Sequence, residues 1–213
     1  MERIEVFGAE LKELNRDYVL NNAITKVVNT TNIGELSGKP HRLFADLAEM
    51  VGFPITVTSK DGEDMAGFAT ADYRLLEHIG VTEEELFEAA RRNTANSVKF
   101  VPFSKLLTGH PLIGEDDMLY LVTNEDALYG AGAIAIPEIL MECREKIGSD
   151  VYIIPSSVHE IILCKKDMFD ESADIDGIVA IIGGVNTNFV EPNEILSGHL
   201  YGLDEDGKVF IAD

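Results

Sequence analysis

Cysteine is scarce: Cys143 and Cys164 are the only two in 213 residues. They form no C-x-x-C pair and are too few for a disulfide framework, so they read as ordinary reduced thiols. Long hydrophobic runs are missing as well. The longest, such as Ile178 to Ile182, fall far short of the roughly 20 apolar residues that cross a bilayer. The amino terminus, MERIEVFGAE, lacks the basic start and apolar stretch of a secretion signal. The chain is therefore expected to be cytoplasmic and to engage no membrane, and the Asn29-Thr30-Thr31 sequon then carries no meaning.

Positive charge is in short supply too, with 17 Lys and Arg against 38 Asp and Glu for a formal charge of -21. Such a balance repels nucleic acid and anionic surfaces, which argues against conventional nucleic-acid binding. Two readings of the acidity remain, a solvated surface that keeps the protein soluble and a phosphate-like surface that would occupy a DNA-binding partner. The acids fall in short groups (Glu83-Glu84-Glu85, Glu115-Asp116-Asp117, Asp170-Glu171, Asp204-Glu205-Asp206) instead of one stripe, which favours plain solubility.

What is present is globular: 46% hydrophobic residues in a chain long enough to bury roughly 70% of its unfolded surface. No repeat or low-complexity linker divides it. Between Thr108 and Asp117, Gly109, Pro111 and Gly114 punctuate a change of pattern. This predicts a helix-rich amino-terminal lobe with a β-hairpin over 1–112 and a strand-rich α+β lobe over 113–213, the two sharing a core or forming one domain.

Apolar residues Leu11, Leu14, Val19, Ala23, Ile24 and Val27 predict an amphipathic helix over 10–28, followed by a loop to Pro40. Ile55 to Thr58 and Ala66 to Thr70 read as a hairpin across Lys60-Asp61-Gly62-Glu63. A short helix over 71–79 precedes a second one opened by the Thr82/Glu85 capping box and running to about Asn93. Residues 98–103 and 119–123 read as extended. Pro137 opens a helix that Gly148 ends, with Ile139, Leu140, Cys143 and Ile147 inward. Val151 to Cys164 holds two strands, 174–185 is either a helix or a strand running into a loop, and 200–203 with 209–212 form a closing hairpin. Strands and helices do not alternate strictly, so the expected class is α+β with a mainly antiparallel sheet flanked by helices.

No motif specifies a reaction. Gly130, Gly132 and Ala135 satisfy G-x-G-x-x-A after a strand, but Asn124 to Leu128 intervene, Pro137 interrupts the required helix and Asp150 precedes the next strand. Small residues that let the chain approach a sheet closely account for the run better. Gly183-Gly184 lacks the Lys-Ser/Thr of a phosphate loop. Ser172, Asp174, Asp176 and Gly177 imitate half a calcium loop, yet Gly183 stands where its bidentate glutamate belongs. The five histidines are dispersed, and Glu138 with Glu142 is the spacing of a solvated helix face, so neither a metal nor a cofactor is called for.

The stretch VYIIPSSVHEIILC concentrates the remaining polar candidates. Strand alternation puts His159 and Glu160 on opposite faces; Ser157 shares a face with His159, but no nucleophile elbow surrounds it. Glu160 sits among apolar neighbours and must meet a cation such as Arg144, or donor groups, if its face is buried. Ser156 and Ser157 suit a turn that locks the backbone around them.

The segments YLVTNEDALYGAGAI, GSDVYIIPSSVHEIIL and VNTNFVEPNEILSGHLY resemble the carboxy-terminal half of a bacterial family known only as a domain of unknown function, abundant in gut anaerobes, and KPHRLFADLA and GVTEEELFEAARRNT resemble its middle section. The resemblance runs from about Asn22 to Tyr201. It implies a bacterial cytoplasmic origin and transfers no activity. Family members usually carry a further amino-terminal segment that this chain lacks, and their pattern after Asp170 is more helical than one holding Gly177, Gly183 and Gly184.

The leading expectation is a non-enzymatic binding or accessory module for a protein or small-molecule partner, in an oligomeric state that the sequence leaves open. Its contact surface would include 129–133 and 155–160, with Asn124, Tyr129, Ser156, Ser157, His159 and Glu160 as candidate binding residues and none as catalytic. The alternatives are a hydrolase-like enzyme assembled around Glu160 or His159 with Asn124, Tyr129 or Asn186, and a DNA mimic.

Overall fold

A computed structural model describes residues 14–58, 63–108, 117–168 and 175–213, together with the backbone of the short strands at 5–6 and 9–11. Two antiparallel sheets, each of six strands, carry helices on their faces, an α+β architecture.

The first sheet grows around one long strand. After β1 (Glu5–Val6), β2 (Ala9–Leu11) and helix α1 (Arg16–Asn22) come β3 (Ile24–Asn29), a single helical turn α2 (Ile33–Leu36), β4 (Arg42–Phe44), β5 (Leu47–Thr58) and β6 (Asp64–Thr70). Strand β5 pairs with β3 and β2 along one edge and with β4 and β6 along the other. The single helix expected over 10–28 is replaced by strand, helix and strand. Asn15 caps α1 by accepting from the Tyr18 N–H, and Ala23 leaves the helix in an extended conformation. The β-branched run Ile24-Thr25-Lys26-Val27-Val28 then prefers the pleat, where 25–28 are all buried.

Helices α3 (Tyr73–Ile79) and α4 (Glu83–Ser97) cover this sheet. Asp72 caps α3, and the Thr82/Glu85 capping box opens α4. Val51 and Phe53 of β5 pack with Leu76, Leu86, Phe87 and Ala90.

The second sheet holds β7 (Val98–Pro102), β8 (Leu119–Asn124), β9 (Val151–Ser157), β10 (Glu160–Lys165), β11 (Tyr201–Leu203) and β12 (Val209–Ile211), in the order β12-β11-β9-β10-β8-β7. Helix α5 (Phe103–Thr108) follows β7, and residues 109–116, where the lobe boundary was expected, lie outside the described residues. Because β7 pairs with β8, the chain changes sheet at the end of α4. Helix α6 (Pro137–Ile147) buries Ile139, Leu140, Cys143 and Ile147, as its spacing requires, and ends at the left-handed Gly148. Residues 175–189 form a helix, α7, against β9, settling the ambiguity there.

The sheets meet across a buried 3₁₀ helix, Gly130–Ala135. Its residues join Val27 and Leu47 of the first sheet to Val122, Ile153, Ile161 and Leu163 of the second in one core. A Cβ on Gly132 would collide with the Thr25 carbonyl, and one on Gly130 with the Thr123 side chain and the His159 carbonyl. The glycines of the apparent G-x-G-x-x-A motif thus permit backbone to touch backbone. Gly132→Ala is expected to destabilise the fold by more than about 3 kcal/mol, because no flexible side chain can yield there. Urea unfolding checks this, and a loss below about 1 kcal/mol would contradict the contact.

Candidate functional site: the junction of the two sheets

The candidates read from the sequence lie where the 3₁₀ helix enters the core. Tyr129, with φ of 57°, turns the chain into that helix. Its N–H donates to His159 Nδ1 at 3.2 Å, which places the ring proton on Nε2, 3.5 Å from Glu194 Oε1. Thr123 Oγ1 donates to the His159 carbonyl. Asn124 spans its own loop, donating to the Leu128 carbonyl and accepting from the Leu128 N–H. Ser156 and Ser157 both donate to Glu160 Oε1, at 2.8 and 2.9 Å, and Ser157 Oγ also accepts from the His159 N–H. Glu160 is half-buried and takes hydroxyls as its donors, whereas Arg144 pairs with Asp150. The structure therefore brings Tyr129 to His159 and Ser156 and Ser157 to Glu160. Asn186 stands apart, donating to the Ser197 carbonyl.

Beside this group the Tyr129 ring packs tilted against Phe68, centroids 4.4 Å apart, and lies under the Lys26 ammonium, 4.9 Å from its centroid. Lys26, almost wholly buried, pairs with Glu35, which Lys39 also contacts. Burial pushes the Glu35 carboxyl up, but the two ammonium groups outweigh it and hold the acid below its usual range. Burial and then the Glu35 and Glu194 carboxylates raise the Tyr129 phenol. Both thiols are buried, and burial pushes Cys143 and Cys164 to about 11. Among the described residues no group of three His, Cys, Asp or Glu side chains is placed to hold a metal ion. No helix among them is long and apolar enough to cross a membrane.

A second feature of the junction escaped the sequence reading. Arg42, Phe44, Glu49, Arg91, Ile134, Pro137, Lys208 and Val209, from β4, β5, α4, the 3₁₀ helix, α6 and the last hairpin, line a cleft of about 260 Å³. Glu49, 2% exposed, is held bidentately by Arg91 at 2.7 and 2.6 Å. Arg42 stacks on Phe87, 4.1 Å from its centroid, and pairs with Glu84, whose side chain is 70% exposed. Lys208 is exposed and makes no ion pair with the described residues. The signal that could have revealed the cleft is the placement of basic residues in an acidic chain, in KPHRLF and AARRNT. A broader depression along α6, beside Glu138, Glu142 and Arg144, is open surface.

On the other side of the junction Asp46 gathers three donors: Tyr201 at 2.6 Å, and Asn29 and Ser197 at 2.9 Å. Nearby, His199 Nδ1 lies 3.0 Å from Asp213 Oδ2, and Asp213 Oδ1 accepts from the Leu200 N–H at 3.0 Å. The Asp213 hydrogen bond raises His199 above 6.5; for Asp213, burial is outweighed by His199 and the Leu200 N–H, which lower it below 3.8. A raised histidine contributes fully below its ordinary value and loses its contribution as pH climbs past the raised one. A lowered aspartate contributes above its ordinary value and loses its share as pH falls past the lowered one. The pair is therefore fully stabilising between 3.8 and 6.5. Asp213→Asn is expected to cost under about 1 kcal/mol near pH 5, given the half-exposed histidine, and less near pH 9. Urea melts at both values test this, and an unchanged difference would contradict it.

Comparison with known proteins adds a family and no activity. No curated protein matches the chain, and no solved structure does. A model of the Family of unknown function (DUF5688) matches residues 9–205, from β2 through β11, which leaves β1, β12 and the Lys208 and Val209 wall of the cleft outside the match. The chain belongs to that family.

Proposed function

We propose that the protein is a non-enzymatic binding module that takes a small amphipathic carboxylate into the cleft between the sheets. The observation that carries this reading is the lining of the cleft. Three cationic side chains, Arg42, Arg91 and Lys208, line it together with one carboxylate, Glu49, and the apolar Phe44, Ile134, Pro137 and Val209. Binding sites at domain junctions have this composition, an apolar body with a few converging polar groups. Arg91 is committed to Glu49, but Arg42 is held only by an exposed glutamate, a pair worth under about 1 kcal/mol. A carboxylate can displace Glu84 at small cost and gain Lys208 as well, while its apolar portion lies on Phe44 and Val209.

The polar groups of the 156–160 turn support the non-catalytic side of the reading. Both ring nitrogens of His159 face protein groups, which leaves no free base, and the Ser157 hydroxyl lies between Glu160 and the His159 N–H. Of the expected contact surface, Gly130 to Ala133, Pro155, Ser157 and Val158 are buried, while Tyr129, Ser156, His159 and Glu160 are partly exposed.

Calorimetric titration with a series from acetate to 3-phenylpropionate tests the proposal. Affinity should rise with the apolar body, 3-phenylpropionamide should not bind, and Arg42→Gln or Lys208→Gln should weaken binding at least about tenfold, the loss of one charge-assisted hydrogen bond. A series that fails to bind, or an amide that binds as well as its acid, would sink it.

A further inference from the structure

Arg91 meets Glu49 along one edge only. Its Nε donates to Oε1 at 2.7 Å and its Nη2 to Oε2 at 2.6 Å, the side-on form of a bidentate pair. A guanidinium carries five N–H donors, so three remain, the two on Nη1 and the second on Nη2. No described residue takes a hydrogen bond from any of them. The Glu84 and Glu138 carboxylates act on the group only through space, and Glu84 pairs with Arg42.

Burial shows which way the second edge points. The Glu49 side chain is 2% exposed, whereas that of Arg91 is 36% exposed and lines the cleft. The edge that grips Glu49 therefore faces the interior, and the opposite edge, Nη1 with the outer Nη2 proton, is turned away from it to the open side. Because the guanidinium is planar and rigid, the inner carboxylate fixes the direction of the outer fork as well. The rotamer freedom that ligand binding would otherwise cost is already lost in the folded protein.

The other two cations have no such preparation. Arg42 lies against the Phe87 ring with an exposed glutamate as its partner, and Lys208 is an exposed point charge. Those two supply charge, and Arg91 supplies geometry. We propose that Arg91 seats the ligand of the cleft, its outer edge taking both oxygens of a carboxylate in the guanidinium plane, and that Glu49 is the positioning residue behind it. The assignment rests on the reading of the cleft as a carboxylate site. It narrows the ligand to one that presents two coplanar oxygens, whose remaining acceptor sites are left for Arg42 and Lys208.

Calorimetric titration of 3-phenylpropionate into the wild-type chain and two variants, each first shown to melt in a single cooperative transition, tests the assignment. Arg91→Lys keeps a cation on Glu49 and the charge of the lining but loses the second edge, so affinity should fall at least about tenfold. Glu49→Gln removes a negative charge beside the ligand. A site that works by charge alone would then bind more tightly, whereas a site that needs Arg91 held in place should bind more weakly. Nitrogen-15 NMR of the wild-type chain depends on neither variant: the ligand should shift the Arg91 Nη resonances and leave its Nε, held by Glu49, unmoved. A wild-type chain that binds no carboxylate overturns the cleft reading and this assignment with it. Affinity that stays within about twofold in Arg91→Lys, binding that tightens in Glu49→Gln, or Nη resonances that do not move overturn the assignment alone.

Discussion

The close passage of the 130–135 segment over β3 is the constraint on which the rest of the structure depends. Each sheet carries helices of its own, but the shared core exists because Gly132 lets one backbone rest on the Thr25 carbonyl and Gly130 lets the same segment touch Thr123 and His159. Reaching that position forces Tyr129 into a left-handed conformation that a tyrosine seldom adopts. The hydrogen bond from its N–H to His159 and the packing of its ring against Phe68 help offset this. The polar residues of the 156–160 turn thereby hold the junction in place.

Scarce cations are concentrated at the same junction. Lys26 is buried over the Tyr129 ring against Glu35, and Arg91 grips the fully enclosed Glu49. Burying such pairs costs desolvation that their attraction roughly offsets, so their larger effect is on which arrangement is allowed. Glu49 left without Arg91 would be an uncompensated charge inside the protein, and that penalty fixes α4 against β5 at one register. The cleft is a by-product of this placement, since Arg42 and Arg91 reach its wall from elements that the ion pairs have already oriented.

Local chemistry was legible in the sequence, and long-range convergence was not. The Thr82/Glu85 box, the Pro137-to-Gly148 helix with its four inward residues, and the paired strands of 151–165 each announce themselves within a few residues, and the structure contains them all. β3 was misread because Ile24 and Val27 happen to continue the helical spacing of Val19 and Ala23, and only the density of β-branched residues argues otherwise. α7 was ambiguous because its glycines weaken a helical pattern that is nonetheless complete. At the site, Ser157 takes the His159 N–H as the turn reading requires, and Glu160, expected to meet a cation such as Arg144 or donor groups, meets donors, two hydroxyls three and four residues away. Arg42, Arg91 and Lys208 come from three separate elements, and no spacing rule relates them.

The Asp46 carboxylate, in the first quarter of the chain, has a consequence for biosynthesis. Two of its three donors, Ser197 and Tyr201, follow it by 151 and 155 residues. On a ribosome adding 5–20 residues per second, Asp46 emerges roughly 8 to 30 s before them. During that interval the first sheet can pair its strands and dock α3 and α4, while one of its carboxylates and the apolar face meant for the 3₁₀ helix stay open to solvent. Contacts of such separation slow folding. The nascent amino-terminal half is therefore the stage at which a chaperone would have most surface to grasp, and premature termination would leave that surface uncovered.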